Sequence, residues 1–518
     1  MSSGVLPYIR ANAGKTKSAL EWATALERSA GFALALGLTM VIAVLGTVFG
    51  GRAAGLAFAP ILVLVVLSSV MRGQVVTAVA LYFGYEGLEG MFKYLSDFSP
   101  AIYVIRPLLL GAIVVLWRLS LVYRNARPVS PPLKVLLGLF AAWGLVEVFN
   151  PHGSGLGGSI ATLVLYYIGP VCLFICGYNT IHTKQHVSTF LYGFIAACTV
   201  VSACAILQFI MGQPWTESHF PGYHGINQTG WFVVGENGAP TAGSFRPAST
   251  TSMSGGGATW AQWGAVLSLG MLFLPGMSIR QRIALAICLI INIIGLLITG
   301  VRLWLFTGIA EAITFVFVLA RTPVEVTRSL GILLSVTVIA GVAFSGAQAL
   351  SGGIIGARYA DTARNPLAKF QHDRGYNVTS FSDFASSYPL GAGYQMELGR
   401  YSAHAITDPA TKARNGETEF GAIAGDMGVP GLLMLYGIVL GVLVLGWRSF
   451  RRLRDAQLRT IGALLFASLS GYPLASFGGP VLQGATYFWF AAAVLLALPL
   501  VEKHEKAASV KDAVVERG

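Results

Sequence analysis

The sequence predicts an all-α polytopic membrane protein of about 14 transmembrane helices, with one large loop capping a single face. Three observations carry this. Hydrophobic residues make up 54% of the chain and charged residues 11%, where a soluble domain carries about 25% charged residues. Apolar windows near the ~20 residues needed to cross a bilayer recur along the whole length. Basic residues cluster between alternate windows, as the positive-inside rule requires of cytoplasmic segments.

Residues 1–30 are polar and carry Arg10, Lys15, Lys17 and Arg28, so they are expected as a cytoplasmic N-terminal segment. Gly31–Gly50 is long enough to span and lacks a cleavage-like site, which predicts a retained first helix rather than a signal peptide. Further spans are expected at Ala53–Met71, Gln74–Tyr94, Ala101–Tyr123, Leu133–Phe149, Ser159–Tyr178 and Val187–Met211. Thr259–Met277, Ile283–Gly300, Leu303–Ala320 and Ser329–Leu350 complete helices 1–11 within residues 31–350. Val429–Trp447, Thr460–Phe477 and Leu482–Val501 form helices 12–14 within residues 429–501, and 502–518 is a charged cytoplasmic tail. Gln74–Tyr94 is the weakest of these spans, because it holds Glu86 and Glu89. With both termini cytoplasmic, this count puts Arg118–Lys134, Arg280–Arg282, Arg321–Arg328 and Arg448–Arg459 on one side. The loops 212–258 and 351–428 fall together on the other. An odd error in the count would scatter the basic clusters over both faces.

The net charge of +12 therefore reads as membrane orientation, not nucleic-acid binding. Cys172, Cys176, Cys198, Cys204 and Cys288 all lie in apolar spans, as small packing residues. No cysteine or histidine spacing suggests a metal site, and no Gly-rich run sits in a phosphate-loop context. No internal repeat stands out.

The loop 351–428 is the least membrane-like part of the chain, and a loop of that length is usually functional or disordered. Its aromatic residues, its histidines and a Pro-Leu-Gly-Ala-Gly turn predict an ordered cap. Arginine on the outer face runs against the positive-inside rule, so Arg246, Arg302, Arg358, Arg374 and Arg400 each ask for a reason. A guanidinium forks onto phosphate oxygens and stays charged, so several converging at the outer surface would suit a lipid-linked diphosphate. The plainer alternative pairs each with a nearby carboxylate, as Arg358 with Asp361. Within the spans, Arg106, Glu147 and Glu311 are costly to bury. Structural ion pairing is the expected role of all three, with Arg106 also open to a phosphate site. The acid/base candidates are Glu417, Glu419, Asp426, His372 and His404. Glu417 and Glu419 sit where the cap re-enters the membrane, although a helix N-terminus favours carboxylates for its own sake.

Three stretches together resemble the O-antigen ligase/polymerase superfamily, over roughly Thr241–Gly446. GSFRPASTTSMSGGGA is similar to that family's Gly-(Ser/Thr)-Phe motif before a span. LLITGVRLWLF resembles its Ser-Arg outer turn, with Val301 where serine is usual. The segment from ARYAD to GVPGLLML, including PLGAG, is similar to its cap. The resemblance implies a GT-C-like helical fold and a metal-independent glycosyltransferase with no cofactor. It places Arg302, Arg358 and Arg374 on arginine positions that hold the diphosphate, with Arg246 and Arg400 as further candidates. Family members often carry His-Asn eleven residues before the glycine that is Gly428 here; this chain has Glu417 and Thr418. The catalytic base is therefore expected to be Glu417, with His404 as the alternative.

The expected protein is a bacterial inner-membrane polysaccharide polymerase with its active site facing the periplasm. It would transfer a glycan from undecaprenyl diphosphate to a second lipid-linked repeat unit. Its partners would be the lipid-linked donor and acceptor, the bilayer and a chain-length regulator protein, with no nucleic acid. One alternative is a ligase that moves glycan onto lipid A core or a protein. A further one is a lipid-linked oligosaccharide flippase or other transporter, which should show an internal repeat and helices interrupted at mid-membrane; the sequence suggests neither.

Overall fold

The structure is a computed structural model that describes residues 63–96, 100–123, 125, 127–153, 155–220, 247–251, 256–320, 323–350, 419–479 and 481–517, with short pieces of 353–394. All regular structure among these residues is helical. A helical stretch, 63–71, precedes α1 (Val75–Leu95) and α2 (Pro100–Tyr123). Then come α3 (Lys134–Glu147), α4 (Leu156–Thr180), α5 (Lys184–His219) and α6 (Gly257–Leu272). The helices α7 (Ile279–Thr299), α8 (Arg302–Leu319) and α9 (Pro323–Leu350) follow. The chain closes with α10 (Glu419–Arg452), α11 (Ala456–Ser470), a single turn α12 (Tyr472–Ala475) and α13 (Thr486–Arg517).

Among the described residues, 7 helices are long and apolar enough to cross a membrane: α2, α4, α5, α7, α8, α10 and the first part of α13. The expected first span and most of the second lie outside the described residues. The bundle's outside is what lipid would favour. Val104, Leu108, Val115, Leu119 and Val122 form an exposed stripe on α2, and Phe306, Ile309, Ile313 and Phe317 one on α8. Such stripes at helical spacing would associate in water and are at rest in hydrocarbon. The inside is formed by α1, α5, α6 and α13. In α13 the run from Phe488 to Leu498 is buried on every side. Small residues let these helices approach: Gly193 of α5 packs on Ala80 of α1, and Gly295 of α7 on Ser202 of α5. Asn292 of α7 secures that last contact, donating to Thr199 Oγ1 at 2.9 Å and accepting from Ser202 Oγ at 2.8 Å.

The helices have two distinct ends. At one, Lys184 pairs with Asp455 at 2.5 Å, Glu502 Oε1 accepts from the Arg454 and Asp455 amides, and the His182 and His504 rings lie 5.5 Å apart. Arg280 and Arg282 in the first turn of α7 and Arg451 and Arg452 in the last turn of α10 lie at this basic end. At the other end are the α7–α8 turn, the piece 388–394, the start of α10 and the segment joining α11 to α13. The α7–α8 turn takes only two residues, because Gly300 adopts the left-handed conformation (φ 63°) that stops α7.

Several boundaries differ from the sequence reading, three of them at the end that carries the loops. α10 starts at Glu419, so residues 419–428, expected in the cap, are helical and buried. The expected span Thr460–Phe477 breaks at Ser470, where Gly471 and Pro473 interrupt it. α5 continues past its expected end to His219 through a kink at Gly212 (φ 81°), ahead of Pro214.

Asp455 yields a pH-dependent prediction. Its burial alone would raise its carboxyl, but the Lys184 ammonium and the Leu458 amide outweigh that and hold it below the usual carboxylate range. A depressed folded value contributes stability above the unfolded value of about 3.9, lost as pH falls through the folded value. Asp455→Asn keeps the helix cap and removes the charge. It should cost about 0.2–1 kcal/mol at neutral pH, and the difference from the parent should shrink as pH falls below about 4 and vanish only below the depressed folded value, read by thermal unfolding of the purified protein.

Candidate functional site

The end opposite the basic face is organised by Gly471–Thr486, which leaves α11, makes the one turn of α12 and reaches α13 as largely non-helical chain. Backbone of this kind, away from water, must find partners for its amides and carbonyls. They come from all around the bundle. The Ser476 carbonyl accepts from the Glu419 amide at 3.1 Å, and the Leu482 amide donates to Glu419 Oε2 at 2.8 Å. The Gly484 amide donates to the Tyr166 carbonyl at 3.3 Å, and the Gly484 carbonyl accepts from Arg106 Nη2 at 2.6 Å. Thr486 Oγ1 donates to Glu86, and Gln483 Nε2 to Tyr167 Oη at 2.9 Å. Residues Tyr166 and Tyr167 lie in a π-helical stretch of α4, Leu163–Ile168.

On one flank of this segment lies a buried ion cluster. Arg106 of α2 meets Glu86 at 2.6 Å and Glu89 at 3.6 Å, both on α1, and Lys93 meets Glu89 at 2.9 Å. Lys93 also stands 4.4 Å over the Tyr103 ring. Two carboxylates face two cations, so the group is neutral as a whole. Ion pairing is thus the role the structure gives Arg106, which is committed and not offered to a phosphate.

On the other flank, α10 is kinked at Gly428 (φ 66°, ψ −170°) and the Pro-Leu-Gly-Ala-Gly turn is seated in the kink. The Val429 amide donates to the Pro389 carbonyl at 3.0 Å and the Ala392 amide to the Gly425 carbonyl at 2.7 Å. Trp143 Nε1 takes the Met427 carbonyl at 2.8 Å. The turn thereby satisfies the groups that the kink releases from the helix. A methyl group at 428 would overlap the Leu390 and Gly391 backbone, so this position takes only glycine.

Beneath the turn, Glu147 at the end of α3 and Asp426 of α10 come together in a buried polar group. Tyr167 donates to Asp426 Oδ2 at 2.6 Å. Asn150 Nδ2 donates to Glu147 Oε2 at 2.9 Å and to the Gly391 carbonyl at 3.1 Å. Tyr394 packs beside Tyr167 and donates to the Gly144 carbonyl at 2.8 Å. Hydroxyls, an amide and two carboxyl groups meet here under the 388–394 turn.

The residues singled out from sequence fare unequally. Arg302 heads α8, and its neighbour Leu303 packs on Gly478 of the crossing segment. Glu419 grips the same segment from both its amide and its carboxylate, which makes it a tether. The start of α8, through Leu303, and the start of α10, through Glu419, are thus brought to one stretch, 476–482. Arg246, Arg358, Arg374, Arg400, His372, His404 and Glu417 lie outside the described residues. Just past Arg246, residues 247–251 dip into the bundle. Gln208 pins Ser249 there through its carbonyl (2.8 Å) and amide (2.7 Å).

Two expectations are corrected. Among the described residues Glu147 and Glu311 form no ion pair; each accepts instead from a neutral amide, Asn150 and Gln262 respectively. Helices also break at Gly212, at Gly428 and at Gly471, while the π-helical stretch leaves α4 continuous. Sequence reasoning missed Tyr167, Gln483, Trp143 and Tyr394. A signal existed for the segment that gathers them, since Pro473, Gly478, Gly479, Pro480 and Gly484 punctuate it densely. Neither a protein-family model nor a curated protein matches this chain.

Gly428→Ala should therefore be strongly destabilising, with the left-handed backbone alone costing roughly 1–2 kcal/mol before any clash. Trp143→Phe keeps the ring but orphans the Met427 carbonyl and should cost about 1–3 kcal/mol. Thermal unfolding in detergent measures both; a Gly428→Ala variant as stable as the parent would mean the turn does not occupy the kink.

Proposed function

We propose that the protein is a membrane glycosyltransferase, a polysaccharide polymerase. It transfers a glycan from undecaprenyl diphosphate to the sugar hydroxyl of a second lipid-linked repeat unit. The observation that carries this is the meeting of the start of α8, which Arg302 heads, and the start of α10 on one segment, 476–482, at the end opposite the basic face. By the positive-inside rule the basic end is cytoplasmic, so this meeting point faces the periplasm of a bacterial inner membrane. The resemblance to the O-antigen ligase/polymerase superfamily points the same way, and the reading includes about 14 spans in a GT-C-like arrangement.

In this reading Arg302, with Arg246, Arg358, Arg374 and Arg400, holds the departing diphosphate through charge-assisted, bidentate hydrogen bonds. The acceptor hydroxyl loses its proton to a carboxylate and attacks the anomeric carbon, the bond to the diphosphate oxygen breaks, and the configuration inverts. Because Glu419 is occupied with the Ser476 carbonyl and Leu482 amide, the base is Glu417, two residues before it, with His404 as the alternative. No metal and no cofactor enter.

A lipid-linked oligosaccharide flippase is the second reading, and helix breaks at mid-membrane would mark it. Polymerisation of purified lipid-linked repeat units in vitro tests the first. Arg302→Ala should abolish product with the protein folded, and Arg302→Lys should rescue it poorly. Glu417→Gln should lower turnover about 10²–10⁴-fold, while Glu419→Gln should show itself chiefly as lost stability. Full turnover in both Arg302→Ala and Glu417→Gln would remove this mechanism.

A further inference from the structure

Glu311 lies midway along α8, with none of its surface exposed, and belongs to none of the groups used above. Gln262 of α6, equally buried, donates from Nε2 to Glu311 Oε2. The other carboxyl oxygen, Oε1, is buried with no hydrogen-bond partner among the described residues. So are Gln262 Oε1 and Thr307 Oγ1, the latter one turn earlier on α8. Gly471, the first residue of the crossing segment, packs so tightly on Glu311 Oε1 and the Thr307 methyl that an added methyl group would overlap both.

Among the described residues no ion pair reaches this carboxyl. The stretches 257–272 of α6, 329–350 of α9 and 460–470 of α11 contain no titratable side chain at all. Over 283–300, α7 contributes only Cys288, and α12 only Tyr472, whose hydroxyl accepts from Trp263 Nε1 at 2.6 Å. On α13, Tyr487 neighbours Tyr472. The ion pairs of the described residues lie elsewhere, among Glu86, Glu89, Lys93 and Arg106 and at the basic end.

An ionised carboxylate held by one amide in such a place would forfeit its hydration for far less than it lost. A proton on Oε1 removes the charge and turns an orphaned acceptor into a donor beside other acceptor oxygens. We propose that Glu311 is a proton-binding site in the interior of the bundle, standing as a neutral carboxylic acid clamped between α6, α8 and the Gly471 joint. The site is independent of glycan transfer: it joins the membrane interior to the first residue of the segment that gathers the outer polar groups.

Infrared difference spectroscopy of the full-length protein in lipid bilayers tests this. Parent minus Glu311→Gln at neutral pH should show the carbonyl-stretch band of a protonated carboxylic acid, moving down in deuterium oxide. In a second arm, Gln262→Leu should shift that band upward through loss of the amide hydrogen bond, which keeps the test alive if Glu311→Gln does not fold. Carboxylate bands alone in the difference spectrum, or no shift with Gln262→Leu, would overturn the proposal. A protonated band seen only when sodium ions are withheld would also overturn it, in favour of a sodium site.

Discussion

Backbone that is not helical inside a membrane protein must have every amide and carbonyl matched, and the Gly471–Thr486 segment sets that demand on the rest of the bundle. It meets the demand by drawing on α2, α4 and α10 at once, through Arg106, Tyr166 and Glu419, while Glu86 of α1 and Tyr167 of α4 hold the side chains of Thr486 and Gln483. The buried charges of α1 and α2 follow from this. Arg106 is aimed at the Gly484 carbonyl, and Glu86 and Glu89 neutralise it at a depth where an isolated guanidinium would be prohibitive.

The same logic repeats on a smaller scale at α10. A glycine with positive φ breaks the helix, and the Pro-Leu-Gly-Ala-Gly turn and Trp143 take up the groups set free. The break carries Asp426 to Tyr167, and the turn brings Asn150 and Glu147 beneath it. Interruptions of regular structure are therefore what bring chemistry-bearing side chains together, while the uninterrupted faces of α2 and α8 are given over to lipid.

Much of the scaffold was legible in the sequence, because hydropathy and the placement of basic residues are local signals. The helices from Val75 onward follow the expected windows, and Arg106 was expected to find a carboxylate. The partners were not legible. Arg106 meets Gly484, Trp143 meets Met427 and Tyr167 meets Asp426, contacts between residues hundreds of positions apart that no periodicity announces. Glu419 shows the limit most plainly: a carboxylate at a helix start reads as an acid/base candidate or a dipole partner, yet it holds the Leu482 amide. Glu311 was expected to be ion-paired because buried charge usually is. The stretches that surround it, 257–272, 283–300, 329–350 and 460–470, contain no cation.

The central claim is that this protein extends a glycan on its lipid carrier at the periplasmic face, and the lipid-linked species in a deletion strain test it most directly. A polymerase predicts that single repeat units on undecaprenyl diphosphate accumulate in the periplasmic leaflet while polymer disappears. Accumulation of full-length polymer on the carrier, or of repeat units confined to the cytoplasmic leaflet, would contradict it.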